Sequence, residues 1–93
     1  MDIQNKTLPP PTLGESRVRT KFNVSEDKAQ RSNVDVLKQE SASLIDFCES
    51  GKQAALANEE KNQSWKSESA RLWSLAQTAY EEAAMWAVKA ATA

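Results

Sequence analysis

The stretch that decides the fold is WKSESARLWSLAQTAYEEAAMWAVKAA, residues 65–91. Apolar and small side chains recur in it every seven residues on two neighbouring rows, which together we call the Trp/Ala face: Trp65, Leu72, Ala79 and Trp86, and Ser69, Ala76, Ala83 and Ala90. Such a repeat keeps one face of an α-helix against a partner helix, and small residues allow the two backbones to approach closely. The pattern therefore predicts a long helix from about residue 65 to 91, packed in an antiparallel hairpin, a helix dimer, or both.

The apolar surface of this helix exceeds what one partner helix can cover. Trp73, Tyr80 and Ala87 form an adjacent row, and Leu75 and Met85 widen it further. A chain of 93 residues buries a smaller share of its surface than a typical domain does, and its many alanines remove little apolar area from water. We therefore expect self-association through the long helix, with two-fold symmetry in the assembly.

A second helix is predicted upstream, over about residues 33–50. Its apolar residues recur at spacings of three and four and so share one face: Val34, Leu37, Leu44, Ile45 and Cys48. Ser32 or Asn33 is a suitable cap for its start, and Gly51 is expected to end it as a C-cap glycine. Residues 52–64 can prolong this helix, begin the next one, or form the turn.

The N-terminal part is predicted to lie outside the hairpin. Residues 1–21 include three consecutive prolines at 9–11, which favour extended or polyproline II geometry, so this segment is interpreted as a flexible arm. The hairpin domain would then comprise residues 22–93, opening with a polar connector. With 2 Gly and 3 Pro, the composition favours helices. The predicted fold class is all-α, an antiparallel helical hairpin that assembles into a homo-oligomer.

The overall charge and the cysteine count limit the choice of partners. A net charge of -1 does not attract the protein to DNA or to an anionic membrane. The single cysteine, Cys48, cannot form an internal disulfide, which agrees with a reducing cytosol. No signal peptide is recognisable, and the longest apolar run, residues 83–88, is far shorter than a bilayer crossing. We expect a cytoplasmic protein with neither DNA nor membrane as a partner.

The sequence is poorly equipped for catalysis. It contains no histidine, which is the commonest general base and metal ligand. Cys48 lacks a histidine partner and is interpreted as a small core residue. The acidic pairs at 59–60 and 81–82 diverge by about 100° on a helix, which is typical of a solvated face. We expect no enzymatic activity, no catalytic residue, no metal site and no cofactor.

Two basic residues within the predicted helices are candidates for binding a small anion. Lys38 is the one basic residue between positions 33 and 51, and it is either a point charge for phosphate or a solvent-facing lysine that pairs with Asp35, with Glu49 or with nothing. Arg71 has the same two interpretations, with Glu68 as its ion-pair partner. The sequence leaves both choices open.

Phe22 is the third candidate. It lies in the polar connector next to Arg17, Arg19 and Lys21. A nucleotide site combines an aromatic ring for the base with a cation for the phosphate, and this cluster offers both. The equally plausible alternative is a phenylalanine that fastens the arm to the hairpin.

Three segments carry a resemblance to a known family. Residues 70–93, ARLWSLAQTAYEEAAMWAVKAATA, resemble the C-terminal helix of the small phage proteins that share the anti-CBASS and Thoeris anti-defence hairpin domain. Residues 34–49, VDVLKQESASLIDFCE, resemble their first helix, and residues 21–25, KFNVS, resemble the aromatic-containing stretch before it. The most specific part is AAMWAVKA, residues 83–90.

The resemblance implies a sponge that acts in the cytoplasm of the infected bacterial host. It implies a helical hairpin that forms a homo-oligomer, typically a hexamer, and sequesters the cyclic nucleotide messengers of CBASS without cleaving them. Cyclic dinucleotides would bind between protomers, with Phe22 stacked on a base and Lys38 near a phosphate. Arg71 corresponds to an arginine with which some relatives take cyclic trinucleotides. Relatives often carry tyrosine where this sequence has Phe22, so the hydroxyl is absent here.

Two other hypotheses stand beside the sponge. The chain can be a structural or regulatory hairpin that docks a partner protein through its Trp/Ala face, with no small ligand. It can also bind nucleic acid through the basic residues 17–21, although the acidic hairpin argues against this.

Overall fold

The computed structural model describes residues 9–57 and 63–93 of the chain. It contains three α-helices: α1 over Leu13–Val18, α2 over Lys28–Ala57 and α3 over Gln63–Ala91. The described residues include no strand, so the predicted all-helical class is confirmed. Contacts between α2 and α3 join Ile45 and Glu49 to Gln77, and Gly51 to Trp73, so the two long helices run antiparallel.

α2 is longer at both ends than the sequence predicted. Asp27 initiates it, because its carbonyl accepts from the Arg31 N–H at 2.9 Å and its carboxylate accepts from the Ala29 N–H at 3.4 Å. The prediction of Ser32 or Asn33 as the cap is therefore wrong. At the other end, residues 52–57 prolong α2 and residues 63–64 begin α3, while residues 58–62 lie outside the described residues.

Gly51 does not end α2, so its predicted role as a C-cap is wrong. The helix continues through it to Ala57. A Cβ built on Gly51 would overlap the indole ring of Trp73 on α3. This glycine therefore permits a close approach between the two long helices, a role that local sequence does not distinguish from capping.

Residues 13–18 form a helix where the sequence predicted an extended arm. Thr12 caps this helix, because its hydroxyl accepts from the Glu15 N–H at 3.1 Å and the Glu15 carboxylate accepts from the Thr12 N–H at 3.0 Å. This reciprocal capping box satisfies two backbone donors that would otherwise lack partners. The prolines at 9–11 precede the helix and so do not prevent it. The prediction of extended geometry is wrong for this part of the arm, and residues 1–8 lie outside the described residues.

α1 packs directly on α2 through a glycine. The Gly14 N–H donates to Asp46 Oδ1 at 2.7 Å, and a Cβ on Gly14 would overlap the backbone of Ala42. Val18 is buried in the same cluster as Ala42 and Ile45, with Leu13 packed against it. Residues 13–18 are thus joined to the hairpin by both a hydrogen bond and apolar contact.

The core between the helices is thin. Its buried apolar residues are Val18, Val34, Ala42, Ile45, Cys48 and Ala84. The predicted apolar face of α2 is confirmed at Val34, Ile45 and Cys48, but Leu44 is 43% exposed and does not belong to it. Cys48 is a buried core residue, as predicted, and its burial raises the pKa of the thiol.

A polar side chain occupies the centre of the α2–α3 contact. Gln77 is 1% exposed and donates through Nε2 to Glu49 Oε1 at 2.8 Å. Gln53 donates to the other Glu49 oxygen at 2.8 Å, and the two hydrogen bonds hold the pKa of Glu49 below its ordinary value. A buried amide with a satisfied donor fixes the register of the two helices, because any slip would leave it unpaired.

The Trp/Ala face does not form the contact between α2 and α3. α3 turns Gln77 and Ala84 toward α2, while Leu72 and Trp86 are about half exposed on the other side. The side chain of Trp65 lies outside the described residues. Within one chain this face is therefore uncovered at Leu72 and Trp86. Of the alternatives predicted for it, packing in the hairpin is wrong for these positions, and packing in a helix dimer stays a prediction.

Replacement of Gly14 by alanine should displace α1. The added methyl group would overlap the Ala42 backbone, which cannot move away as a flexible side chain does. We expect a loss of about 1–3 kcal/mol in the free energy of unfolding and faster tryptic cleavage at Arg17 and Arg19. Urea unfolding and limited proteolysis measure both effects. Ser16→Ala, at an exposed position of α1, is the control, and equal behaviour of the two variants would contradict the packing described.

Acid should destabilise the protein partly through Glu49. Its folded-state pKa lies below the ordinary value of 4.5, so the unfolded chain binds the proton first as the pH falls. The stability from this carboxylate is complete above pH 4.5 and is lost as the pH drops through the folded-state pKa. Urea unfolding from neutral to acid pH should show a shallower decline for Glu49→Gln. The free energy of unfolding of the exposed Glu40→Gln variant should fall with pH as that of the wild type does.

Candidate functional site

A buried lysine anchors the connector between α1 and α2. Lys38 is only 8% exposed, and its Nζ donates to the carbonyl oxygen of Arg19 at 3.0 Å and to that of Phe22. Burial and the nearby charge of Arg19 lower the pKa of Lys38, while Asp35 opposes this shift. Of the two interpretations left open for Lys38, the solvent-facing one is wrong, because the chain folds over its ammonium group.

Phe22 lies beside two cations. The Arg19 guanidinium carbon is 4.9 Å from the ring centroid, and Lys38 Nζ is 5.5 Å from it. Both distances are within the range of cation–π attraction. The Phe22 side chain is nevertheless 50% exposed, so part of the ring remains open to solvent.

Arg19 has an unusual backbone. It terminates α1 with φ 57° and ψ 60°, the left-handed region that L side chains rarely adopt. Its N–H donates to the Glu15 carbonyl, and its own carbonyl accepts from Lys38. This turn directs the chain from α1 toward Phe22.

The rest of the connector is held by a polar network. Asn23 Nδ2 donates to Asp35 Oδ1 at 2.9 Å and to the Arg31 carbonyl at 3.1 Å. Arg31 in turn donates to the carbonyl oxygens of Asn23 at 3.1 Å and Ser25 at 2.6 Å. Because these bonds join the connector to the first turns of α2, Phe22 is presented on an ordered support.

Two grooves flank the Phe22–Lys38 pair. One, of about 580 Å³, lies between the end of α1 and the last turns of α3, and its lining includes Arg19, Met85 and Lys89. The other, of about 630 Å³, follows the connector and reaches Val34 and Thr92. Each is large enough for part of a nucleotide-sized ligand.

The first groove is basic on balance. Its charged lining residues are Arg17, Arg19, Lys38, Lys89, Glu81 and Glu82. Arg17 lies 3.6 Å from Glu81, so that pair is partly neutralised. Lys89 lies 5.9 Å from the centroid of the Trp86 ring. The arrangement suits an aromatic, negatively charged ligand, since the Phe22 ring lies among several cations of the groove.

The structure thus brings together two of the three predicted site residues. Phe22 and Lys38 meet, whereas Arg71 lies elsewhere on α3, about 25 Å along the helix axis from Val88 in the groove. Arg71 is exposed and forms an ion pair with Glu68 at 2.8 Å, which raises its pKa. The interpretation of Arg71 as an ion-pair partner of Glu68 is therefore confirmed.

Sequence reasoning did not select three residues of this region as candidates. Arg19 and Lys89 line the basic groove, and Arg31 holds the connector. Arg19 stood in the basic cluster that drew attention to Phe22, but Lys89 lies far away in sequence. Lys89 comes close to the Phe22 region because α3 runs antiparallel to α2, which the local sequence does not show.

Residues 14–92 match the family model described as "Acb2/Tad1, hairpin domain". The chain belongs to this family. The Acb2/Tad1 hairpin proteins are sponge-type binding proteins directed against the CBASS and Thoeris defences, and they are not known as enzymes. No curated protein and no solved structure matches the chain.

The family assignment covers all three helices. The match begins at Gly14, the second residue of α1, so α1 from that residue onward and the Lys38-anchored connector lie inside the Acb2/Tad1 domain. In the described ranges, no helix is long and apolar enough to cross a membrane. Those ranges also contain no group of three or more side chains suited to hold a metal ion.

Replacement of Lys38 by methionine should loosen the connector. The carbonyls of Arg19 and Phe22 would lose a shared donor in a buried place, so we expect a loss of about 1–3 kcal/mol in stability. Equilibrium unfolding in urea measures this loss. The exposed Lys21→Met variant is the matched control and should unfold as the wild type does. Wild-type stability in Lys38→Met would contradict the anchoring role.

Proposed function

We propose that this protein is a phage anti-immune sponge that binds cyclic dinucleotide second messengers of CBASS without cleaving them. By holding the messenger in the cytoplasm of the infected bacterium, it keeps the CBASS effector inactive. The observation that carries this proposal is the half-exposed Phe22 ring, held beside Arg19 and Lys38 at the edge of a basic groove. Membership of the Acb2/Tad1 hairpin family supports it.

The chemistry of the ligand fits this arrangement. A cyclic dinucleotide has two flat bases and two phosphodiesters, so it carries two negative charges. Phe22 supplies a surface on which a base can stack, and stacking on an aromatic side chain contributes about 1–3 kcal/mol per base. Lys38 and the other basic residues of the groove supply the compensating positive charge. Purine bases and phosphates can therefore be recognised together.

The sites are completed in this proposal by self-association. Each groove is open in the single chain, and the exposed residues Leu72, Leu75 and Trp86 remain on α3 after the hairpin has formed. Joining protomers through these residues buries apolar surface and encloses the ligand, which slows its release. A homo-oligomer, a hexamer on the pattern of the family resemblance, would carry several such sites.

A second ligand class is proposed for the region around Arg71. A shallow, mainly apolar depression there is lined by Glu68, Ser69, Leu72, Trp73 and Ala76. Arg71 would exchange its exposed ion pair with Glu68 for a phosphate of a cyclic trinucleotide. An exposed ion pair contributes little stability, so the exchange is energetically feasible.

The alternative function is docking of a partner protein. The exposed apolar residues Leu72 and Trp86 favour this alternative, since they can pack against a helix of a different protein as readily as against a second copy of the chain. In that case the Phe22–Lys38 cluster serves only to hold the connector.

Binding to cyclic di-AMP and cyclic GMP–AMP tests the proposal. Both thermal stabilisation and native mass spectrometry should report a complex with the wild type, and Phe22→Ala should lower the affinity at least about tenfold because a stacking surface is lost. Phe47→Ala removes an exposed phenylalanine of α2 that packs against Trp73, outside both grooves, and should bind normally.

Two further readouts of the same experiment separate the hypotheses. The ligand recovered after denaturation should be chemically intact, and linearised nucleotide would contradict sequestration. A wild type that binds no cyclic dinucleotide or trinucleotide, and that instead retains a cellular protein, would favour the docking alternative.

A further inference from the structure

We infer that Arg19 is a phosphate-binding residue of the proposed site. Its backbone is held in a left-handed conformation, which at a helix end is ordinarily occupied by glycine. This inference rests on the proposed function and adds a second cation to it. The evidence comes from the backbone of Arg19, the surroundings of its side chain and the charge of the ligand.

The backbone of this position needs no arginine. A residue that ends a helix in the left-handed region is usually glycine, because the absence of Cβ removes the steric conflict. The hydrogen bonds of Arg19 here use its main-chain atoms only: the N–H donates to the Glu15 carbonyl, and the carbonyl accepts from Lys38 Nζ and from the Phe22 N–H. Glycine could make all three, so these hydrogen bonds do not account for the side chain.

Ion pairing within the described residues does not account for the arginine side chain either. In the described part of the chain, no carboxylate forms a salt bridge with Arg19. The neighbouring arginines differ from it, since Arg17 pairs with Glu81 and Arg31 donates to two carbonyls of the connector. Arg19 instead lies near a second positive charge, Lys38, with Phe22 at 4.9 Å from its guanidinium carbon.

An anionic ligand would resolve this like-charge arrangement. Lys38 already directs its ammonium group at two carbonyl oxygens, which leaves it limited capacity to bind phosphate. The guanidinium of Arg19 has five donors in a planar fork that matches a phosphate in bidentate fashion. Both residues line the groove of about 580 Å³. A cyclic dinucleotide bound in this groove can therefore form hydrogen bonds to Arg19, which is the accessible cation, while Lys38 contributes a buried positive charge.

Strain in the backbone agrees with a functional role. Residues held in sparsely populated backbone regions concentrate at ligand-binding sites, where the surrounding structure maintains them. Here Lys38 and Glu15 hold the main chain of Arg19 from both sides. The conformation places the guanidinium beside the Phe22 ring, so one residue can contact a phosphate while its neighbour stacks on the attached base.

The variant Arg19→Gly tests the inference because it should change stability and binding in opposite directions. Glycine relieves the left-handed conformation, so the melting temperature without ligand should equal or exceed that of the wild type. The affinity for cyclic GMP–AMP, measured by isothermal titration calorimetry, should fall about tenfold or more through loss of a charge-assisted hydrogen bond. A merely structural Arg19 would lower both the melting temperature and the affinity.

Two companion variants make the result unambiguous. Lys21→Gln removes a neighbouring exposed cation that lines neither groove, and it should leave the affinity within about twofold of the wild type. Arg19→Lys keeps the charge but not the planar fork, so it should bind between the wild type and Arg19→Gly.

The outcomes also distinguish this inference from the function on which it rests. If the wild type binds and Phe22→Ala does not, but Arg19→Gly binds normally, the role of Arg19 is overturned and the sponge stands. If the wild type binds no cyclic nucleotide, both are overturned. Weak binding by Arg19→Gly together with a retained melting temperature supports both.

Discussion

The burial of the Lys38 ammonium group under the connector is the interaction on which the site depends. A charged group removed from water must be compensated, and here the carbonyls of Arg19 and Phe22 provide the compensation. The same two bonds fix where α1 ends and where the chain turns toward α2. Asn23 and Arg31 then hold the remainder of the connector against the first turns of α2. One buried cation thus sets the position of the exposed ring.

Close contacts at two glycines set the spacing of the three helices. Gly14 lets α1 rest on the backbone of Ala42, and Gly51 leaves room for Trp73 between α2 and α3. Helices that approach so closely enclose few large side chains, which explains the thin core of Val34, Ile45 and their small neighbours. Apart from Trp73, large apolar residues of α3 such as Leu72, Leu75 and Trp86 are consequently left outside. A compact hairpin and an apolar outer surface are therefore two results of one packing arrangement.

The arrangement around Phe22 suits the proposed binding of an aromatic, anionic ligand. In that proposal the groups near Phe22 would stack on, attract and orient the ligand. A sponge needs an ordered site that is ready before the ligand arrives, because ordering the site during binding would reduce affinity. Hydrogen bonds along the connector provide that order. The family to which the chain belongs comprises binding proteins of this kind.

Local sequence was sufficient for much of the fold. The apolar spacing of residues 34–48 and 65–91 predicted two long helices, and the resemblance of residues 70–93 predicted the family. The sequence also indicated Phe22 and Lys38 as candidate site residues, and the two lie together in the structure. Periodicity succeeds here because a helix repeats its faces every few residues, so the signal is contained in neighbouring positions.

Tertiary structure alone decided the rest. Periodicity shows that a helix has an apolar face, but not which face meets α2, and α3 turned Gln77 inward and left Trp86 about half exposed. The helix at 13–18 begins with a local signal, the Thr12–Glu15 capping box, but its packing on α2 and the role of Gly51 depend on contacts with residues far along the chain. The partners of Lys38 are likewise backbone oxygens of a distant segment, and backbone oxygens occur at every position. No residue type marks them, so only the folded chain could identify them.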